Sequence, residues 1–191
     1  MSFPRYPEFK DSGVEWLGEV PAHWDVLQLR GTAEPEPYSF TDGDWVESPY
    51  ITDEGVRLIQ TGNIGVGYYR EQGFRYISEE AFSKLKCTEL FSGDVLICRL
   101  ADPVGRACLA PDLDSRMITS VDVCILKTKT DVNEKFLVYF LSSEQYLSFM
   151  ASVSRGGTRQ RVSRSFLGGV RVALPGIDEQ SATKVFINRT S

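Results

Sequence analysis

Between Ser154 and Phe166 the chain reads SRGGTRQRVSRSF, which gathers Arg155, Arg159, Arg161 and Arg164 with no acid among them. Interleaved with them are Thr158, Gln160 and Ser163, all short or amide hydrogen-bonding side chains. This is chemistry suited to a nucleic acid. The planar guanidinium fork matches guanine O6 and N7 or a phosphate, glutamine matches adenine N6 and N7, and hydroxyls reach phosphate oxygens. Gly156 and Gly157 free the backbone just ahead of these groups. Arginine density alone leaves open a plain solvated loop.

Two further stretches place polar groups beside turns. QTGNIGVGYYR offers Gln60, Thr61, Asn63, Tyr69 and Arg70, and RLADPVGR is bounded by Arg99 and Arg106. Turns carried by a sheet are common positions for recognition side chains, so some of these seven residues are expected to read bases beside the arginine stretch. Asn63 and Thr61 suit equally well the bland task of stabilising their own turn. Gly62, Gly65 and Gly67 are spaced GxxGxG, which is a turn signal and not the dinucleotide-binding GxGxxG.

The rest of the composition removes other functions. The four cysteines, Cys87, Cys98, Cys108 and Cys124, contain no CxxC pair, and the single histidine is His23, so no zinc ligand set is present. Cys98, Cys108 and Cys124 lie in apolar runs and read as buried, reduced thiols. GxSxG, HExxH, Walker A and the Asn/Asp-Pro-Pro-aromatic methyltransferase stretch are all absent, which predicts a protein without catalysis, cofactor or metal. His23 beside Trp24 reads as a packing residue. No apolar run reaches the roughly 18 residues of a membrane span, and the first residues lack the order of a signal peptide, so a cytoplasmic protein is expected. Asn188 begins an NRT sequon without secretory context. The net charge of −5 is uneven: residues 1 to 54 hold 12 acids and 3 bases, residues 55 to 191 hold 14 acids and 18 bases. Only the second part favours a polyanion.

These groups need a scaffold. Trp16, Leu17, Val20 and Trp24 predict an apolar arm ahead of a strand over 26–29, and the Pro- and Asp-rich residues 31–54 predict a loop with exposed backbone. Ser78 with Glu79 and Glu80 predicts a helix start, closed by Lys84 and Lys86. DPVG predicts a type I turn between two strands, with Pro103 second and Gly105 fourth, and MITSVDVCILKT predicts one long strand. Asp131 with Glu134 predicts the capping box of a helix that places Phe136, Leu137, Phe140 and Leu141 on one face and bends at Ser142 and Ser143. VRVALP predicts a last strand, and IDEQSATKVFINRTS the first turns of a further helix. Strands and helices do not alternate, so the fold class is α+β: a curved, mixed or antiparallel sheet with packed helices.

In their order and spacing, WLGEVPAHWDVLQL, IQTGNIGVGYY, YISEEAF, LFSGDVLICRLADPVGRACLA, GGTRQRVSRSFLGGVRVALP and PGIDEQ resemble a target recognition domain of the specificity (S) subunits of type I restriction-modification systems. The resemblance covers nearly the whole chain. It implies that residues 1–175 form a DNA target recognition domain with an N-terminal arm over 1–30, and that 176–191 begin a spacer helix that continues beyond Ser191. It implies sequence-specific recognition of double-stranded DNA, reading one half of a bipartite target. The implied partners are methyltransferase (M) subunits, restriction (R) subunits through them, and a second copy through the spacer helix, with catalysis in the partners and no membrane. The alternative, a protein-interaction domain or an enzyme of unseen chemistry, rests on no motif.

Overall fold

The computed structural model describes residues 6–154 and 160–187, the last five by backbone alone. The first strands are β1 (Phe9–Asp11), β2 (Glu19–Pro21), β3 (Asp25–Gln28), β4 (Phe40–Asp42) and β5 (Ile51–Thr52). Next come β6 (Val56–Ile59), β7 (Tyr76–Ile77), helix α1 (Glu79–Leu85), β8 (Val95–Cys98) and β9 (Ala107–Leu109). β10 (Met117–Thr119) and β11 (Val123–Leu126) precede α2 (Glu134–Phe140), α3 (Glu144–Val153) and α4 (Arg164–Gly169), and the described chain ends with β12 (Arg171–Leu174) and α5 (Ile177–Ile187).

The centre is the antiparallel sheet β4-β11-β8-β9. β8 and β11 are apolar at every position because both their faces are covered. Val95, Ile97, Cys124 and Leu126 point into one core with Phe136, Leu137, Leu141, Tyr146 and Met150 from α2 and α3. Their alternating neighbours Leu96, Cys98, Val123 and Ile125 point into a second core with Ile59, Ile64 and Met117. The second sheet, β10-β6-β7-β5, is mixed, with β10 parallel to β6 and the other pairs antiparallel. The fold is therefore α+β with antiparallel and mixed sheets. Among the described residues no helix is long and apolar enough to cross a membrane.

Local chemistry explains most boundaries. Ser78 caps α1 by accepting from the Ala81 amide, Glu79 and Glu80 sit in its first turn, and Lys86 closes it in the left-handed region. The 131–153 helix does break at the serines: Ser143 caps α3, and Trp16 from the arm stacks on Phe149 of α3 at 4.7 Å. Leu17 and Val20 are buried against Ala173 of β12, as the apolar arm predicts. Cys98, Cys108 and Cys124 are buried, and burial pushes the thiols of Cys108 and Cys124 up to about 12, so they act as apolar filling.

Other expectations are corrected. α2 is capped by Asn133 and not by Asp131, since the Asn133 side chain accepts from both Lys135 and Phe136 amides. MITSVDVCILKT is two strands in different sheets, separated at Ser120, whose carbonyl accepts from the Val123 amide in a turn. Residues 31–54 are not one loop, because β4 joins the central sheet and β5 pairs with β7. The strands around DPVG do form a hairpin, but pairing stops at Cys98, which exchanges hydrogen bonds with Gly105 and Arg106, so the connection is wider than a four-residue turn.

The two ends of the described chain meet. β3 pairs with β12, and α5 is seated by its first turn: Gln180 is buried, donates to the Asp131 and Pro175 carbonyls and accepts from the Asn133 amide. Beside it Glu179 accepts from the Tyr6 hydroxyl at 2.6 Å and the Trp24 indole at 3.1 Å, and meets His23 Nε2 at 2.8 Å. His23 thus ties the arm to α5. Burial raises the Glu179 pKa, but these hydrogen bonds outweigh it and hold the carboxyl below its usual range. A lowered folded pKa gives stability that is complete above the ordinary carboxylate range and lost as pH falls through the lowered value. Glu179→Ala is expected to cost about 1–2 kcal/mol at neutral pH and to speed hydrogen exchange across 177–182. The loss should shrink as pH falls through that lowered value and the wild-type carboxyl is itself protonated; an equal loss at every pH would contradict the ionised seat.

Candidate functional site

The segment after the arginine-rich stretch is built into the structure as an edge. The Gln160 carbonyl accepts from the Ala101 amide, the Val162 amide donates to the Arg99 carbonyl, and Arg161 bridges Leu100. Ser163 then starts α4, its hydroxyl accepting from the Phe166 amide, and Leu167 and Gly168 bury the inner face. Sequence reasoning takes Ser163 as a DNA contact and overlooks this short helix, whose cap the hydroxyl forms as an acceptor while keeping its own proton to donate. Arg155, Thr158 and Arg159 lie outside the described residues.

The arginines of this edge are exposed but not unpaired, contrary to the expectation from a stretch without acids. Arg161 Nη2 lies 2.9 Å from Asp122 Oδ1, and Arg164 Nη1 lies 3.4 Å from Thr41 Oγ1 and 3.9 Å from Asp42 Oδ2. Both side chains keep nearly half their surface in water, at 44% and 45%. Exposed pairs of this kind are worth little, so each arginine is held in orientation yet can exchange its carboxylate for another anion. Asp42 and Asp122 arrive from other strands and turns, which no local pattern near residue 160 reveals.

Two depressions flank the edge. A smaller one of about 310 Å³ is lined by Arg30, Phe40, Asp42, Arg164, Ser165 and Gly168. A larger cleft of about 610 Å³ is bordered by Leu100 and Asp122 on the arginine side and by Gln60, Thr61, Gly62 and Trp45 elsewhere. The structure therefore brings the QTGN turn, with Gln60 and Thr61 half-buried in the wall, to the same cleft as Leu100 and Asp122, the neighbours of Arg161, while Arg164 faces the smaller depression. Trp45, hidden in an acidic stretch that reads as loop, is the member sequence reasoning misses. Asp44 beside it is half-buried, and burial raises its carboxyl pKa against the opposing hydrogen bond from the Thr88 amide.

Other predicted contacts prove to be internal. Arg99 is 4% exposed, with its guanidinium on the Val162 and Val121 carbonyls and on Asp42. Arg106 is 6% exposed, and Nε, Nη1 and Nη2 donate to the carbonyls of Ile64, Leu100, Pro103 and Thr61. Arg106 reaches inward to carbonyls of the hairpin connection and the QTGN turn, and Arg99 to the carbonyls of the β10–β11 turn at Val121 and of the edge at Val162, backbone acceptors that lie outside the sheet ladders. Asn63 is buried too: Oδ1 accepts from the Gln60 amide, and Nδ2 donates to the Arg70 and Gln72 carbonyls, so it holds its own turn. Tyr69 is half-buried against the second core, with its hydroxyl 3.3 Å from Arg57. Burial raises its pKa, opposed by Arg57. Arg70 remains exposed, its guanidinium over the Tyr68 ring at 5.4 Å.

No family model matches the sequence. Three solved structures share the architecture. A chain from a type I restriction-modification system, solved to explain its complex assembly and conformational transition, aligns with a TM-score of 0.68 at 19% identity, over 95% of this chain and 40% of that one. The HsdS subunit from Thermoanaerobacter tengcongensis aligns with a TM-score of 0.65 at 19% identity, over 95% and 39%. The S subunit of the type I system of M. genitalium aligns with a TM-score of 0.54 at 18% identity, over 83% and 36%. The chain spans about two fifths of the length of these structures. Over the part it spans, it has the fold of type I restriction-modification S subunits.

Proposed function

We propose that this chain is a target recognition domain that binds double-stranded DNA and reads one half of a bipartite site for a type I restriction-modification complex. The observation that carries the reading is the arginine edge between two depressions: Arg161 is paired with Asp122 at the border of the cleft that Gln60 and Thr61 line, and Arg164 lines the smaller depression on the other side. Guanidinium groups that exchange a weakly held carboxylate for a phosphate position the duplex, and amide and hydroxyl groups beside them read base edges. Arg155, Thr158 and Arg159 belong to the same contact in this reading.

Residues 1–175 form the recognition domain, with 1–30 as its arm, and 176–191 begin a spacer helix whose direction is set by the Glu179 and Gln180 seat. Methyltransferase subunits, restriction subunits through them, and a second copy through the spacer are the partners, and catalysis resides in the methyltransferase and restriction subunits. The test is selection from a pool of random duplexes at low salt. Successive rounds are expected to enrich one short motif of a few base pairs, and a pool that stays random would reject sequence-specific recognition.

A further inference from the structure

Trp45 is 73% exposed. The main chain just ahead of it is fixed. The Gly43 amide donates to the Val123 carbonyl at 2.9 Å, the Asp44 amide to the Thr119 carbonyl at 2.8 Å, and Asp44 Oδ2 accepts from the Thr88 amide at 2.9 Å. The chain passes so close to Thr119 and Ser120 that a Cβ at Gly43 would run into both carbonyl oxygens, so only glycine permits this course. A single exposed aromatic is ordinary on a protein surface. This one is held out by a rigid backbone at the border of the cleft that Gln60 and Thr61 line.

We propose, resting on the DNA reading above, that Trp45 determines specificity at this cleft by covering the 5-methyl group of a thymine in the major groove while Gln60 pairs with adenine. The two side chains are complementary to the two halves of one kind of base pair. Adenine presents N6 and N7 to an amide, and thymine presents a methyl group to an apolar surface; a G·C pair offers neither combination. The indole supplies a broad apolar face with few rotatable bonds, so little freedom is lost when it is covered. Its fixed backbone lets it discriminate position as well as chemistry.

The experiment compares wild type and Trp45→Ala in the same random-pool selection. Wild type is expected to enrich a motif containing an A·T pair, and the variant to lose preference at that pair while melting at the same temperature, since an exposed side chain contributes little to folding. Replacing thymine by uracil in the enriched duplex removes only the methyl group. It should weaken wild type about fourfold, the worth of one buried methyl, and leave Trp45→Ala unchanged. An identical motif from the variant, equal binding of uracil and thymine by wild type, or a motif without an A·T pair overturns the assignment of Trp45 and leaves DNA recognition standing. A wild type that enriches nothing overturns both.

Discussion

Arg106→Ala is expected to unfold the domain, and not merely to loosen its hold on DNA. The guanidinium is buried and donates to four carbonyls, at 2.7 Å to Ile64, 2.9 Å to Leu100, 2.9 Å to Pro103 and 2.8 Å to Thr61. It therefore joins the β8–β9 connection to the QTGN turn. Alanine leaves the Ile64 and Pro103 carbonyls without a donor in a dry interior, at about 1–3 kcal/mol each, and the Thr61 and Leu100 carbonyls with only the Ile64 amide at 3.3 Å and the Cys98 thiol at 3.5 Å. The loss is about 3–4 kcal/mol, a large share of the roughly 5–15 kcal/mol that holds a typical domain. Lysine should rescue little, because an ammonium cannot span carbonyls that a planar fork reaches in several directions. Urea melts of Arg106→Ala and Arg106→Lys check this. A variant with an unchanged midpoint and lost DNA binding would instead make Arg106 the recognition residue that its place beside a turn predicts.

The opposite behaviour is expected of Arg161→Ala with Arg164→Ala. Both arginine side chains are about half exposed, while Asp122 and Asp42 keep only 16% and 27% of theirs in water, so the folded state should change by about 1–2 kcal/mol. DNA affinity should fall much further. Each arginine contributes a charge-assisted contact of about 1.5–3 kcal/mol. The double variant should bind duplex on the order of 100-fold more weakly at low salt. Titration of a labelled duplex by anisotropy measures this directly, with the melting temperature as the control.

What was legible in the sequence follows from the range of the interactions. Ser78, the break at Ser142 and Ser143 and the apolar helix faces act within a few residues, so the α1 cap and the helices over 79–85 and 131–153 were readable, while the α2 cap at Asn133 and the short α4 were not, and the fold class followed from the order of the elements. The resemblance to S subunits reached the fold that the solved structures share. Partners distant in sequence were not readable. Arg161 and Arg164 looked unbalanced because Asp122 and Asp42 approach them only after β4 and β11 pair. Arg99 and Arg106 looked like surface groups beside a turn, and only the unpaired carbonyls gathered by the fold turn them inward. Trp45 was concealed by the acids around it, since composition marked its stretch as loop and said nothing of the β4 ladder that fixes it.

The salt dependence of duplex binding tests the central claim most directly, because it counts the phosphates the protein neutralises. If Arg155, Arg159, Arg161 and Arg164 each take a phosphate, the plot of log affinity against log salt has a slope of about −3.6. In Arg161→Ala with Arg164→Ala it should fall to about −1.8, with the fold intact. A wild-type slope near zero, or the same slope in wild type and variant, would contradict a DNA interface at this cleft.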